Sequence, residues 1–172
     1  MPNTISATTG ERYYSGDWDT NIAPLVKALN VGSGKMNSID AATILRFQEY
    51  ADRLIDGKLQ SLYVVPLARY RIYNRSTGLS GYSGYFVLTY PGQVQEAARY
   101  LVAGLLMKAE YQQLDSNTNE AVQNYIDYAM TILEEIRAVT IRLEGQTLRP
   151  DISAFMPQGV MPFVRPEPPR TV

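Results

Sequence analysis

Between Asn117 and Glu144 apolar residues recur at alternating steps of four and three: Val122, Ile126, Ala129, Leu133, Ile136, Thr140 and Leu143, with Thr140 the only polar member. This spacing keeps one face of an α-helix apolar along its length and suits no strand, whose side chains alternate every second residue. It predicts a helix about 39 Å long at 1.5 Å per residue, opened by an Asn117–Glu120 capping box and closed by Gly145. Tyr125, Ile132 and Val139 form a second apolar line beside the first. One partner helix cannot easily cover both lines, so either the chain's own bundle wraps this helix or another subunit does. Those three residues are candidates for a subunit interface.

Two more long helices follow from the same reasoning. Asn37 or Ser38 caps one in which Ile44, Phe47, Ala51, Leu54, Ile55, Leu59 and Leu62 share a face, with Arg46, Glu49, Asp52, Arg53 and Asp56 around the rest, ending before the extended Tyr63-Val64-Val65-Pro66. Pro91 opens the other, where Val94, Ala98, Leu101, Leu105 and Ala109 line one side and Val102, Leu106 and Met107 widen the stripe. A helix apolar around most of its circumference belongs in the middle of a bundle. Gly57 and Gly104 lie inside these helices, where glycine costs about 1 kcal/mol relative to alanine, and each predicts a closely packed neighbour. A short helix capped by Thr20 or Asn21 runs through Leu25, Val26 and Leu29 until Gly32-Ser33-Gly34 breaks it. The expected fold is mainly α: a bundle of three to four helices over residues 20–146, preceded by a loosely held, turn-rich N-terminal arm at 1–19 around Trp18.

Two segments escape helical periodicity. Over 68–90 there are tyrosines at 70, 73, 82, 85 and 90 with glycines at 78, 81 and 84 between them, and Tyr85 to Tyr90 is the best strand candidate in the chain. The insertion is a β-hairpin packed on the bundle or a long exposed contact loop, with Tyr73, Tyr82, Tyr85 and Phe86 as candidate contact residues for another subunit or a partner protein. Residues 147–172 form an extended tail with six of the ten prolines, at 150, 157, 162, 166, 168 and 169. A linker would be polar, yet Ile152, Phe155, Met156, Val160, Met161, Phe163 and Val164 put large apolar groups into a strip without a core. The strip needs a surface to lie on, either a partner's or the chain's own bundle.

Composition removes much conventional chemistry. There is no cysteine and no histidine, so disulfides, thiolate and imidazole metal ligands, cysteine nucleophiles and histidine acid–base catalysis are all absent. With 16 basic and 17 acidic residues the net charge is −1, which supplies no broad basic footprint for phosphates. Gly32-Ser33-Gly34-Lys35 departs from a phosphate-binding loop, since Leu29 and Met36 stand where glycine and a hydroxyl residue are required. Glu134-Glu135, and Asp127 with Glu134, read as a solvated helix face rather than a glycosidase pair, with Arg137 and Arg142 as surface neighbours. Arg69, Arg71 and Arg75 among the tyrosines could assist base stacking, but tyrosine and arginine equally mark protein interfaces. No leader and no membrane-length apolar run is evident. The expectation is a non-enzymatic protein, made in the cytoplasm, without metal or cofactor.

The order of parts resembles the head-to-tail connector (adaptor, or head-completion) proteins of tailed phages. The likeness is carried by Ile39-Asp40-Ala41-Ala42 opening a helix through Tyr50-Ala51-Asp52-Arg53-Leu54-Ile55-Asp56, then Leu62-Tyr63-Val64-Val65-Pro66-Leu67, and after the insertion Pro91-Gly92-Gln93-Val94-Gln95-Glu96-Ala97-Ala98-Arg99-Tyr100-Leu101. It covers roughly residues 20 to 145, and the long glycine-tyrosine insertion departs from the pattern. The resemblance implies a structural virion protein of the neck, assembled in the host cytoplasm as a ring, typically twelve-fold. Such a ring docks on the portal protein, receives a downstream tail or neck protein, and lets genomic DNA pass through its lumen without sequence-specific binding or any membrane contact. Ile152, Phe155, Met156, Val160, Met161, Phe163 and Val164 are then the expected portal-binding residues. The alternatives are a neck or tail-terminator protein of the same virion and a non-viral helical interaction module.

Overall fold

The computed structural model describes residues 13–28, 39–76, 83–110, 116–139 and 141–149. A π turn over Trp18–Ile22 runs directly into α1 (Ala23–Ala28), followed by α2 (Ala41–Leu59), the strands β1 (Tyr70–Ser76) and β2 (Ser83–Thr89), α3 (Gly92–Glu110) and α4 (Ser116–Arg137). The fold is a small, mainly α bundle with a β-hairpin insertion, as the periodicities predict. Asp40, rather than the expected Asn37 or Ser38, is the residue at the N-cap of α2, without a side-chain capping bond; the Gly32–Gly34 turn and the tail strip beyond Arg149 lie outside the described residues.

α3 occupies the centre. Val94, Ala97, Ala98, Leu101, Val102, Ala103, Leu106 and Met107 are all buried, and the helix packs against the π turn, α1, α2 and α4. Its small residues let neighbours come near. A Cβ placed on Gly104 would stand 2.7 Å from Ile126 Cγ1 and 3.3 Å from the Val122 carbonyl, so α4 approaches as closely as the sequence implied. Gly57 corrects the companion expectation, for a Cβ there would meet nothing within 4 Å. On α2, Ile44, Gln48, Ala51, Ile55 and Leu59 form the buried face, while Glu49 and Arg53 pair on the outside at 2.7 Å.

Two boundaries differ from the sequence reading. Residues 13–19 are not a loose arm: Tyr14, Ser15 and Trp18 are buried, and Asp17, rather than Thr20 or Asn21, caps the helical stretch by accepting the Thr20 N–H at 3.1 Å. Helix α4 stops at Arg137, not Glu144. Val139 leaves it with φ +60°, a left-handed conformation that β-branched residues rarely adopt. Tertiary packing overrides the heptad here. Turning early allows Leu143 to be buried and its N–H to meet the hydroxyl of buried Tyr63 at 3.2 Å.

The chain then runs back beside the α2–β1 connection. Tyr63 pairs with Leu148 in an antiparallel bridge, Val64 N–H donates to Thr147 O at 3.0 Å, and Arg149 N–H donates to Leu62 O at 2.9 Å. The Gln146 side-chain amide accepts from Ala68 N–H at 3.0 Å and donates to Ala68 O at 2.7 Å. Residues 147–149, the start of the predicted tail, are thus fastened to the bundle as a short strap.

Candidate interaction surface

The hairpin is antiparallel, with Tyr70 opposite Thr89, Arg71 opposite Leu88, Ile72 opposite Val87 and Tyr73 opposite Phe86. This settles the alternative between hairpin and long loop. Its two strands pack on each other, and neither makes an extensive contact with a helix. Attachment is concentrated at the base. Thr89 Oγ1 accepts from Gln95 Nε2 at 2.5 Å, and Arg99 in turn donates to Gln95 Oε1 at 2.9 Å. Tyr70 donates to Glu144 at 3.3 Å and lies directly against Gly145, whose φ of +68° and absent Cβ leave room for the ring.

The base is also tied to the N-terminal segment by a buried tyrosine. Tyr14 donates its hydroxyl to Asp56 at 2.7 Å and accepts the Leu67 N–H at 2.7 Å, while its own N–H reaches both Asp52 carboxylate oxygens at 3.3 Å. Its ring meets Tyr90 edge to face at 4.8 Å, and Arg69 sits 5.8 Å above the Tyr90 ring. Burial, opposed by the Tyr14 N–H and reinforced by Asp56 and Glu49, pushes Asp52 up to about 7. Burial likewise raises Asp56, opposed by the Tyr14 hydroxyl, and raises the phenol of Tyr14 itself, with the Asp56 hydrogen bond adding to it. Next to these, Gln48 is buried and donates to Ser15 Oγ at 2.9 Å and Gly16 O at 2.8 Å.

Perturbed carboxylates often mark chemistry. Here each is held by donors of the N-terminal segment, so the arrangement works as a fastening. A cleft of about 250 Å³ beside it is lined by Tyr13, Asp17, Asn21, Arg69, Leu88 and Tyr90 among others, and not by Asp52 or Asp56. Among the described residues no group of three or more acidic, histidine or cysteine side chains could hold a metal ion, and no helix is long and apolar enough to cross a membrane.

Among the described residues the large apolar side chains left exposed are scattered over distinct elements: Ile72 (38% exposed) and Leu88 (54%) on the hairpin, Val64 beside the strap, Tyr50 on α2, Tyr128 on α4 and Val139 beyond it. A shallow groove of about 520 Å³ runs along α4, lined by Asp127, Met130, Thr131, Glu134, Glu135 and Ala138.

The sequence-predicted residues divide among these places. Ile132 is only 7% exposed and belongs to the chain's own core, whereas Val139 keeps 43% of its surface. Tyr125 is half-buried, edge to face with Tyr100 at 5.0 Å. Tyr73, Tyr85 and Phe86 fall on the paired strands, while Tyr82 and the seven tail residues lie outside the described segments. Sequence reasoning missed Tyr14, Ser15 and Gln48. The available signal was aromatic density, three rings within six residues at Tyr13, Tyr14 and Trp18.

Fold and surface together define a small helical-bundle protein whose distinguishing feature is a hairpin rooted at its base, with Ile72 and Leu88 exposed. Over residues 23–156 the chain matches the family model described as Bacteriophage Mu, Gp36, and it belongs to that bacteriophage protein family. The match takes in α1 to α4, the hairpin and the strap. None of the curated proteins and none of the solved structures compared with it matches.

Proposed function

We propose that this chain is a structural, non-catalytic virion protein: a head-to-tail connector that forms a ring beneath the portal protein and receives a downstream neck or tail protein. In this reading the tail strip from Ile152 to Val164 docks on the portal, and DNA passes through the lumen without being read. Membership of a bacteriophage family supports the setting. The observation that carries the role is the contrast between a helical core closed within one chain and a hairpin that, among the described residues, keeps Ile72 and Leu88 exposed and has no extensive contact with a helix. Two-stranded hairpins are marginal alone, and subunit contacts within a ring would give this one its missing support. Weak contacts repeated around a symmetric ring add through multivalency.

The test is binding of the full-length chain to purified portal from the same phage, read by co-sedimentation and negative-stain microscopy. A ring-shaped layer on one end of the portal is expected. Phe155→Asp with Phe163→Asp in one chain should weaken that binding at least about tenfold while leaving the helical circular dichroism unchanged. A chain that ignores the portal, or a doubly substituted chain that binds it normally, refutes the respective claim.

A further inference from the structure

The hairpin and the outer side of α4 differ in charge as well as in shape. Between Asp56 and Glu96 the sequence has no acidic residue and four cations, Lys58, Arg69, Arg71 and Arg75, three of them in or beside β1. Helix α4 carries Glu120, Asp127, Glu134 and Glu135 against Arg137 alone. Glu134 is engaged by Lys58 at 3.0 Å and by Arg137 at 3.0 Å, whereas among the described residues the Asp127 carboxylate accepts from the neutral amide of Gln123 at 2.9 Å and pairs with no cation. Negative charge at the groove is therefore concentrated on Asp127 and Glu135, which line it together with the apolar Met130 and Ala138. Arg71 and Leu88 are opposite each other in the strand register, so they share one face of the hairpin, and both are exposed.

We propose that the Arg71–Leu88 face of the hairpin seats in the Asp127–Ala138 groove of a second copy of this chain. Leu88 covers the apolar part of the lining, where a methionine adapts to the incoming shape, and Arg71 reaches Glu135. The two surfaces are different patches of one molecule, so the contact is heterologous. Heterologous contacts generate closed rings when the rotation closes and filaments when it does not. The proposal builds on the ring reading above and names the contact that makes the ring. Phosphate backbone is the other class of partner that three arginines would suit, but it has no use for an acidic groove.

The native chain has no cysteine, which makes directed cross-linking clean. Full-length Leu88→Cys and Ala138→Cys proteins, both altered at exposed positions, are mixed and oxidised, alone and on portal. The mixture should give a disulfide-linked dimer that neither variant gives by itself, and a chain carrying both changes should give a ladder. Arg71→Glu and Glu135→Arg should each weaken self-association at least about tenfold in sedimentation, and the two combined in one chain should restore it. A Leu88–Ala138 product no greater than that of a control pair with Asn119→Cys, with or without portal, overturns the proposal. So does a charge swap without rescue, or an Arg71→Glu chain that assembles normally but no longer shifts double-stranded DNA. If the copies cross-link as expected while portal is ignored, the connector role fails and this contact stands. If portal is bound but the copies do not cross-link, the reverse holds.

Discussion

Along the seam between α3 and α4, Gly104 lies so near Ile126 and the Val122 carbonyl that a single added carbon would collide. On the hairpin, Leu88 and Ile72 keep 54% and 38% of their surface open. The first region is specified from within: small residues on the central helix admit large ones from its neighbour, and the fit fixes both position and register. Among the described residues the second is tied to the rest of the chain at its root, by Tyr70 against Gly145 and by Thr89 with Gln95. A close-packed interior is sensitive to every atom, whereas a lightly supported hairpin tolerates change until something docks on it. The difference separates what this chain needs in order to fold from what it offers to others.

The comparison breaks most directly through paired truncations. Leu106→Ala, at a fully buried position of α3, should cost about 2–5 kcal/mol in urea unfolding, while Leu88→Ala should stay within about 0.5 kcal/mol. Similar losses at both sites would mean that the hairpin is part of the core. Glycine substitutions sharpen the contrast by sign. Gly104→Ala should destabilise by about 1–3 kcal/mol through overpacking against Ile126, and Gly57→Ala, facing open space, should stabilise by about 0.5–1 kcal/mol. A shared sign would overturn the account of the seam.

A further effect, confined to one pH range, concerns the hairpin's root. Asp52 has a folded pKa of about 7 against an ordinary value of 3.8, so between those limits the folded state holds the proton more tightly than the unfolded one. Stability contributed by this group is therefore fully present below about pH 4 and declines as pH rises through 7. Asp52→Asn keeps an oxygen acceptor for the Tyr14 N–H without the buried charge. It should raise the melting temperature at pH 8 by about 2–4 °C, equivalent to about 1 kcal/mol, and leave it nearly unchanged at pH 4. An equal shift at both values would remove the carboxylate's burial as the cause.

Much of this architecture was legible because periodicity reports burial. The faces of α2 and α3, the central place of α3 and the tight approach at Gly104 all follow from which positions repeat. Gly57 misled because glycine in a helix signals either a close neighbour or nothing, and sequence does not distinguish them. The heptad also overran α4. Leu143 is buried as its position in the repeat suggests, but in a turned-back segment that Tyr63 receives, so the pattern identified burial without identifying conformation. Tyr14 and Trp18 were obscured by polar surroundings, and Gln48 by its polarity, since its burial depends on Ser15 and Gly16 more than thirty residues away. Of the surface, the hairpin could be read from its tyrosines and glycines, whereas the α4 groove could not. Carboxylates on a helix face look alike in sequence whether they border open water or an apolar floor.

The strap over residues 146–149 has a mechanical consequence. Its hydrogen bonds to Leu62, Val64 and Ala68 anchor the C-terminal segment at the root of the hairpin rather than at the end of α4. Tension on that segment is delivered first to the linker joining α2 and β1, and two partners gripping the segment and the hairpin would pull on one common joint.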